Sequence, residues 1–430
     1  MMVTTAGTTR TAGADAAVRE IALEGFKGAY GSLSTSFRSD PIWASFRDLG
    51  SMLWLDTGDL DEVKKLWTRE FTHMTTNNTL VNKEVQKGQF DELIPRAAAR
   101  LREEESGIDE NRLVQEIGFI LNCRVALRLI DTFDAHVSVE LPPVVAHDVD
   151  ASMALARRYY AVCPERFLIK VPLTPAGYIT VRRLASEAMP INFTLGFSAR
   201  QNFLAALISR PQFVNVFMGR LNSFVADNGL GDGKLVGEKA TLASQQGLWL
   251  LRDEGINEET RQIGASTREA QQVIDLAGID VFTLPPKVAT ALHDRLAAHP
   301  EPLACCAERT FNPSLAPGAE SAGLSALWDM SEEFQQMARL LSADAPALET
   351  PDSMLRFLDS HGFGNMFHTW TEEETRQLFE DGKIPKLARW KDRLASGEIA
   401  LDDLMSNSAL QSFAHDQKEL DDRVRKLLRA

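Results

Sequence analysis

The sequence is poor in cysteine and has no long apolar run. Its four cysteines, Cys123, Cys163, Cys305 and Cys306, form no CxxC pair of the kind that indicates a zinc site, so we expect reduced thiols and no metal. No stretch reaches the roughly 18 apolar residues that a membrane-spanning helix requires. The N-terminal residues also lack the apolar core of a secretory signal. These features predict a cytoplasmic protein with no membrane partner.

Basic residues are also scarce relative to acidic ones. The chain has 430 residues, with 46 Lys and Arg against 60 Asp and Glu, which gives a net charge of −14. A protein that binds the phosphate backbone of nucleic acid needs a basic face, so nucleic acid is not an expected partner. A small anionic substrate remains compatible with this charge, because a few arginines in a cleft set the local potential.

What the sequence does contain is a regular alternation of short apolar runs and longer segments of helical period. The runs are Met52–Leu55, Phe71–Thr75, Val137–Glu140, Phe167–Val171, Ile191–Leu195, Phe213–Phe217, Arg261–Ala265 and Val281–Leu284. Strands that alternate with helices indicate a parallel sheet, and eight is the number that closes a (β/α)8 TIM barrel. We therefore predict an α/β protein with one such barrel, an N-terminal extension and mainly helical C-terminal additions.

The expected boundaries follow from this count. Residues 1–50 are an N-terminal extension whose first fifteen residues, rich in Thr, Ala and Gly, are expected to be mobile. Residues 51–299 form the catalytic barrel, and residues 300–385 form an insertion that begins as a loop and continues as helices. Residues 386–430 form helices that pack on the barrel and end in a charged amphipathic helix, Leu410–Leu428. The additions could serve as a lid, an interface or an insertion.

Six consecutive strands place a polar residue near their C-terminal ends. Alternate strand residues point into a barrel, and active sites lie at the C-terminal ends of the strands. In most of these strands the polar residue lies opposite an aliphatic stripe that must face the helices, so the polar side chains should meet inside the barrel mouth. This set includes Asp56, Asn77, Glu140, Lys170, Asn192 and Thr194. A scatter of helix caps and ion pairs is the alternative, which the repetition over six strands disfavours.

Lys170 is the most informative member of this set. An ammonium is costly to transfer into a barrel interior, and a neutral amine is a nucleophile toward carbonyls. With no nicotinamide-binding fingerprint and no clear metal cluster, we infer Schiff-base chemistry on a ketone or aldehyde. The alternative is a lysine held in an ion pair with Asp56 or Glu140, which is compatible with catalysis in the resting enzyme.

At these residues the sequence resembles the transaldolase family. The similar motifs occur in the family's order, with a weaker match at residues 413–428: LDTGDLDEVKKL, TTNNTLVNKEV, VSVELPP, FLIKVPLTPAG, INFTLGFS, VFMGR and IGASTR. The resemblance implies a (β/α)8 barrel that needs no cofactor and transfers a dihydroxyacetone unit between sugar phosphates in the pentose phosphate pathway. It also implies a homodimer.

The resemblance further implies roles for individual residues. Lys170 would form the imine with the ketose, Asp56 would act as general acid and base on the C4 hydroxyl, and Glu140 with Thr194 would order a catalytic water. The remaining positions would bind substrate: Asn77 and Asn192 the hydroxyls of the dihydroxyacetone unit, Asn215 a donor hydroxyl, and Arg220, Ser266 and Arg268 the phosphate, with Phe217 also in the substrate site. Each arginine taken alone is more typical of a solvated surface charge. Two guanidinium forks, however, suit a phosphate dianion.

Three positions bear on the exact activity. Aldolases of this superfamily that cleave fructose 6-phosphate tend to have Gln at the position of Glu140 and Tyr at that of Phe217, so both residues here are transaldolase-like. Asn215 stands where the family usually has Ser, and its bulk is expected to change how the C1 end of the donor is held. Two alternatives remain open. They are a Schiff-base aldolase or transaldolase acting on an unusual sugar, and a non-catalytic barrel that serves as a binding module.

Overall fold

Eight parallel strands close into a barrel in chain order, with β8 paired to β1. The computed structural model describes residues 12–28, 30–31 and 36–429, so most of the segment expected to be mobile, residues 1–11, lies outside the described residues. The strands are β1 Met52–Asp56, β2 Phe71–Thr75, β3 His136–Glu140, β4 Phe167–Pro172, β5 Ile191–Thr194, β6 Phe213–Phe217, β7 Arg261–Ala265 and β8 Val281–Leu284. The predicted (β/α)8 fold is confirmed, and each predicted strand agrees with the observed one to within one residue at either end.

Helices surround the barrel. Those that follow the strands are α3 Leu60–Leu66, α4 Asn78–Gln86, α5 Leu93–Glu104, α6 Glu110–Phe133, α7 Val149–Val162, α8 Pro175–Ser186, α9 Ala199–Ile208, α10 Met218–Asp227, α11 Val236–Asp253, α12 Ala270–Asp275 and α13 Pro286–Ala298. Among the described residues, two helices precede the barrel, α1 Ala12–Leu23 and α2 Pro41–Asp48. Five follow it: α14 Glu332–Ala343, α15 Pro351–Ser360, α16 Glu372–Asp381, α17 Leu387–Ala395 and α18 Leu401–Leu428. No helix in the described ranges is long and apolar enough to cross a membrane.

The strands bury both of their faces. Aliphatic residues of alternate positions, such as Leu53 and Ile169, pack outward into the core shared with the helices. Inward-facing rings fill the N-terminal half of the barrel, where Trp54 stacks on His73 with ring centroids 4.5 Å apart and contacts Phe213 at 4.6 Å. Because these rings fill the lower interior, the polar residues one or two positions further along each strand lie at the open end.

The last helix begins earlier than its sequence pattern suggests. It was expected to start at Leu410, but α18 starts at Leu401. The extra turns carry buried Asp402, which forms an ion pair with Arg200 of α9 (Nη2 to Oδ1, 2.7 Å), and Ser406, whose hydroxyl donates to the Leu195 carbonyl at 2.8 Å. Asp and Ser are weak helix formers in isolation, so tertiary contacts stabilise this start. The helix then runs along α4 and α6 at the rim of the barrel mouth.

Candidate active site

A pocket of about 460 Å³ opens at the C-terminal end of the barrel. Ten of the eleven site residues predicted from the sequence line it, and the eleventh, Glu140, is buried and hydrogen-bonded to one of them. The lining members are Asp56, Asn77, Lys170, Asn192, Thr194, Asn215, Phe217, Arg220, Ser266 and Arg268. The parallel topology accounts for this convergence, because the C-terminal ends of all eight strands meet at one end of the barrel.

Lys170 lies in β4 and is buried, with 4% of its surface exposed. Its ammonium donates to Glu140 Oε2 at 3.3 Å and to the Thr76 carbonyl at 3.3 Å. Of the two ion pairs considered from the sequence, the structure therefore contains the one with Glu140. Burial raises the pKa of Glu140 to about 7, although Lys170 opposes the shift. This carboxyl can therefore exchange a proton with a neighbouring group near neutral pH.

Asp56 ends β1 and lies in a hydroxyl network. Thr75 of β2 donates to Asp56 Oδ1 at 2.6 Å, and its oxygen lies 2.7 Å from the hydroxyl of Thr283 in β8. Burial raises the pKa of Asp56, against the opposing effects of Lys170 and Thr75. Sequence reasoning did not name either threonine as a site residue. The period of two along a strand could have identified Thr75, because it lies on the same inward-facing side of β2 as His73.

The neighbouring Asp59 has a structural role, as its position before a helix predicts. Its carboxylate accepts from the amides of Asp61 and Glu62 and so caps α3. The side chain of Glu62 accepts a hydrogen bond from the Thr57 hydroxyl at 3.2 Å. This cap fixes the turn that follows Asp56. The Asp56 carboxyl group lines the pocket.

Three asparagines line the pocket: Asn77 after β2, Asn192 in β5 and Asn215 in β6. The amide of Asn192 donates to Ser138 Oγ at 3.1 Å, and its oxygen accepts from Asn215 Nδ2 at 3.2 Å. The oxygen of Asn215 has no hydrogen-bond partner among the described residues. Asn77 caps α4 by accepting from the amide of Leu80 at 2.9 Å, which leaves its NH2 group for a ligand.

Unpaired cations surround the mouth of this acidic protein. Arg220 is 6% exposed, and burial, together with the nearby Arg268, lowers its pKa to about 10. Lys83, Lys287 and Lys383, which the sequence did not single out, also line the pocket. Across the described ranges, none of these five side chains forms an ion pair. Like charges left unpaired in one cleft favour binding of an anion.

The phosphate-binding residues expected from the sequence lie in the segments that follow two adjacent strands, β6 and β7. Arg220 lies in the first turn of α10 after β6, and Ser266 with Arg268 follows β7. Ser266 has a φ of 59°, in the left-handed region that non-glycine residues seldom adopt. Backbone strain of this kind is concentrated at binding and catalytic sites, where surrounding structure maintains it.

Phe413 of α18 brings the C-terminal additions into the pocket. Its ring centroid lies 6.0 Å from Lys170 Nζ and 5.5 Å from Arg220 Cζ. No local pattern predicts this contact, since the ring is separated from the barrel strands by more than 100 residues of chain.

A group of potential metal ligands occurs outside this pocket, on α18. The ligand atoms of His415, Asp416 and Glu419 lie within 4.8 Å of one another. Asp416 accepts a hydrogen bond from Thr79, and Glu419 accepts one from Asn82 at 2.9 Å. These oxygens therefore connect α18 to α4, as expected of structural contacts at a helix interface.

The closed barrel, with a buried lysine and two carboxyl groups at the base of a polar pocket, defines a (β/α)8-barrel enzyme. The family model described as transaldolase/fructose-6-phosphate aldolase matches residues 53–344. The chain is also 31% identical over 262 residues to the transaldolase of Xanthomonas campestris pv. campestris (strain B100), covering 58% of this chain and 77% of that protein. The chain belongs to the transaldolase/fructose-6-phosphate aldolase family, and it is an enzyme of that type.

Other relatives agree with this assignment. A protein named probable transaldolase from Kosmotoga olearia is 30% identical over 252 residues, covering 58% of this chain and 89% of its own length. A transaldolase of Prochlorococcus marinus subsp. pastoris is 26% identical over 246 residues. The family match ends at residue 344, so α15 to α18 lie beyond it.

Proposed function

We propose that the chain is a transaldolase that moves a dihydroxyacetone unit from a ketose phosphate, such as sedoheptulose 7-phosphate or fructose 6-phosphate, to an aldose phosphate. The reaction runs through an imine on Lys170 and serves the pentose phosphate pathway. The observation that carries the proposal is the contact of Lys170 Nζ with Glu140 at 3.3 Å, in a pocket that also holds Asp56 and two unpaired arginines.

Formation of the imine needs proton transfer at the lysine. The amine of Lys170 attacks C2 of the ketose, and the resulting carbinolamine loses water to give the imine. Glu140 accepts and returns the protons, with a water held between Glu140 and Thr194. Glu140 Oε1 and Thr194 Oγ1 support this role, because both are buried and form no hydrogen bond within the described residues. Buried polar atoms of this kind normally bind ordered water.

Cleavage of the donor then depends on Asp56. Its carboxylate takes the proton from the C4 hydroxyl, the C3–C4 bond breaks, and the electron pair moves into the imine to give an enamine while the shortened aldose leaves. The raised pKa of Asp56, caused by burial, favours this proton transfer. An incoming aldehyde accepts the electron pair of the enamine, and Asp56 returns the proton to the new hydroxyl.

The residues near the enamine favour transfer over net cleavage. Phe217 lines the pocket and has no hydroxyl that could help a water protonate the enamine. The enamine therefore persists until an aldehyde acceptor arrives. Asn77, Asn192 and Asn215 hold the hydroxyls of the three-carbon unit, and Asn215 fixes the amide of Asn192 through their 3.2 Å hydrogen bond.

Arg220, Ser266 and Arg268 bind the phosphate at the far end of the sugar. The four free thiols support a reducing compartment, in keeping with the predicted cytoplasmic location. The expected homodimer remains a prediction.

Borohydride trapping tests the proposal. Incubation with fructose 6-phosphate and sodium borohydride, followed by peptide mass analysis, should reveal a reduced three-carbon adduct on Lys170. Lys287 lines the same pocket and is exposed, so it provides an internal control that should remain unmodified. A binding module would give no adduct on Lys170.

The same preparation separates transfer from cleavage. Adding erythrose 4-phosphate to enzyme and fructose 6-phosphate should yield sedoheptulose 7-phosphate, with little free dihydroxyacetone when the acceptor is left out. Release of dihydroxyacetone at a comparable rate would indicate an aldolase. Adduct formation without turnover of either common sugar phosphate would indicate an unusual sugar.

A further inference from the structure

A short segment of the C-terminal additions reaches the barrel mouth. Residues 382–385, here called the mouth segment, lie between α16 and α17 and beyond the part of the chain that matches the family model. Lys383 of this segment lines the pocket together with Arg220 and Arg268. Its side chain is exposed and, within the described residues, forms no ion pair.

The mouth segment contacts Arg220 directly. Arg220 Nη1 donates to the carbonyl of Lys383 at 3.3 Å. The guanidinium also lies over the rings of Phe217 and Phe413, at 5.9 and 5.5 Å from their centroids. A buried guanidinium that contacts one neutral carbonyl and two rings keeps most of its donors and its charge for a further partner.

Several hydrogen bonds hold the mouth segment in place. Asn228, the C-cap of α10, donates to the Pro385 carbonyl at 3.1 Å and accepts from the amide of Leu387 at 2.8 Å. Ser408 of α18 donates to the Gly382 carbonyl at 3.3 Å. Gly382 itself has a φ of 82°, which a residue with a Cβ adopts only with strain. Since α10 also carries Arg220, one helix fixes both the arginine and the segment that contacts it.

We propose that the mouth segment is part of the substrate site: the Lys383 carbonyl positions Arg220, and the Lys383 ammonium gives the substrate phosphate a third cationic contact beside Arg220 and Arg268. This inference rests on the proposed function in taking a sugar phosphate as the ligand. It assigns phosphate recognition in this chain to a residue from the C-terminal additions as well as to the barrel.

Lys383→Ala is the direct test, because it removes the ammonium and keeps the carbonyl that contacts Arg220. The KM for fructose 6-phosphate should rise about three- to tenfold, the range expected for one partly exposed charge-assisted hydrogen bond, while kcat changes by less than about twofold. The KM for fructose should not change, and Lys383→Arg should restore the wild-type value. Lys386→Ala is the matched control, since Lys386 is also exposed, follows the segment and does not line the pocket.

The proposed positioning of Arg220 by the Lys383 carbonyl needs a second variant as its test. Asn228→Ala removes the hydrogen bond to the Pro385 carbonyl of the segment and the one from the Leu387 amide at the start of α17. It leaves every pocket cation in the chain, so it should also raise the KM for fructose 6-phosphate and not that for fructose. Equal effects of Lys383→Ala on both sugars, or no difference from Lys386→Ala, would overturn the role of the ammonium. An unchanged KM in Asn228→Ala would overturn the positioning role.

Calorimetric titration with inorganic phosphate separates this inference from the proposed function. Phosphate should bind the wild type and Lys386→Ala equally and Lys383→Ala more weakly by a similar three- to tenfold factor. Weakened phosphate binding in an enzyme that does not turn over sugar phosphates would contradict the proposed function alone. Normal turnover with phosphate binding unchanged in Lys383→Ala would contradict this inference alone.

Discussion

Replacing Gly219 by alanine should selectively damage the proposed phosphate site. Gly219 lies in the first turn of α10, next to Arg220, where the loop after β7 passes close to the helix. A Cβ at this position would lie 2.0 Å from the carbonyl oxygen of Ser266 and 2.7 Å from Cγ of Arg268. Close carbon–oxygen contacts are about 3.3 Å, so the loop must move by about 1 Å to accommodate a methyl group.

The size of the effect follows from what this loop carries. Ser266 and Arg268 are the predicted phosphate ligands, and a hydrogen bond to a charged group contributes about 1.5–3 kcal/mol. Loss of one such contact corresponds to about a ten- to hundredfold decrease in kcat/KM for a phosphorylated sugar. The crowding should also lower the free energy of unfolding by about 1–3 kcal/mol, as is usual for overpacked sites.

The assay compares kcat/KM for fructose 6-phosphate and for fructose in the same variant, with the melting temperature measured in parallel. The kcat/KM for fructose should fall by less than about threefold, because the residues proposed to form the imine lie on other strands. Gly118→Ala in α6 is the matched control, since a Cβ there would meet its nearest atoms at ordinary distances of 3.8 and 3.9 Å. It should leave both activities unchanged. Equal losses for the two sugars in Gly219→Ala, or no loss for either, would refute the reasoning.

Three further predictions concern the proposed roles of single residues. Arg268→Ala should raise the KM for fructose 6-phosphate about ten- to hundredfold and that for fructose little; an equal change for both sugars in steady-state assays would remove Arg268 from the phosphate site. Because burial raises the pKa of Glu140 to about 7, its carboxyl is protonated below that pH and cannot accept a proton, so kcat should fall as the pH drops through about 7. Glu140→Gln should lower kcat about a hundredfold or more and remove this acid limb; a limb that persists in the pH profile belongs to another group. Phe217→Tyr should increase the release of free dihydroxyacetone relative to transfer, measured with and without erythrose 4-phosphate, and an unchanged ratio would show that this position does not control the fate of the enamine.

The sequence by itself determined the barrel and the residues that meet at its mouth. Strand runs and helical segments are local patterns, and the period of two along a strand decides which side chains point inward. Asp56 and Lys170 could therefore be placed at one end of the barrel before any contact was known, and the structure brings both into one pocket. Which carboxylate pairs with Lys170 depends on distance, and the structure decided it in favour of Glu140.

Only the tertiary structure determined how the C-terminal additions relate to this site. Phe413 and Lys383 line the pocket although they lie far along the chain from the barrel strands. No local sequence pattern identifies either one as a binding residue. The early start of α18 likewise depends on the pairing of Asp402 with Arg200. Local patterns report which segments bury a face, whereas contacts between distant segments depend on how those faces fit together. For that reason Lys383, the pocket cation that comes from the C-terminal additions, was identified only in the folded chain.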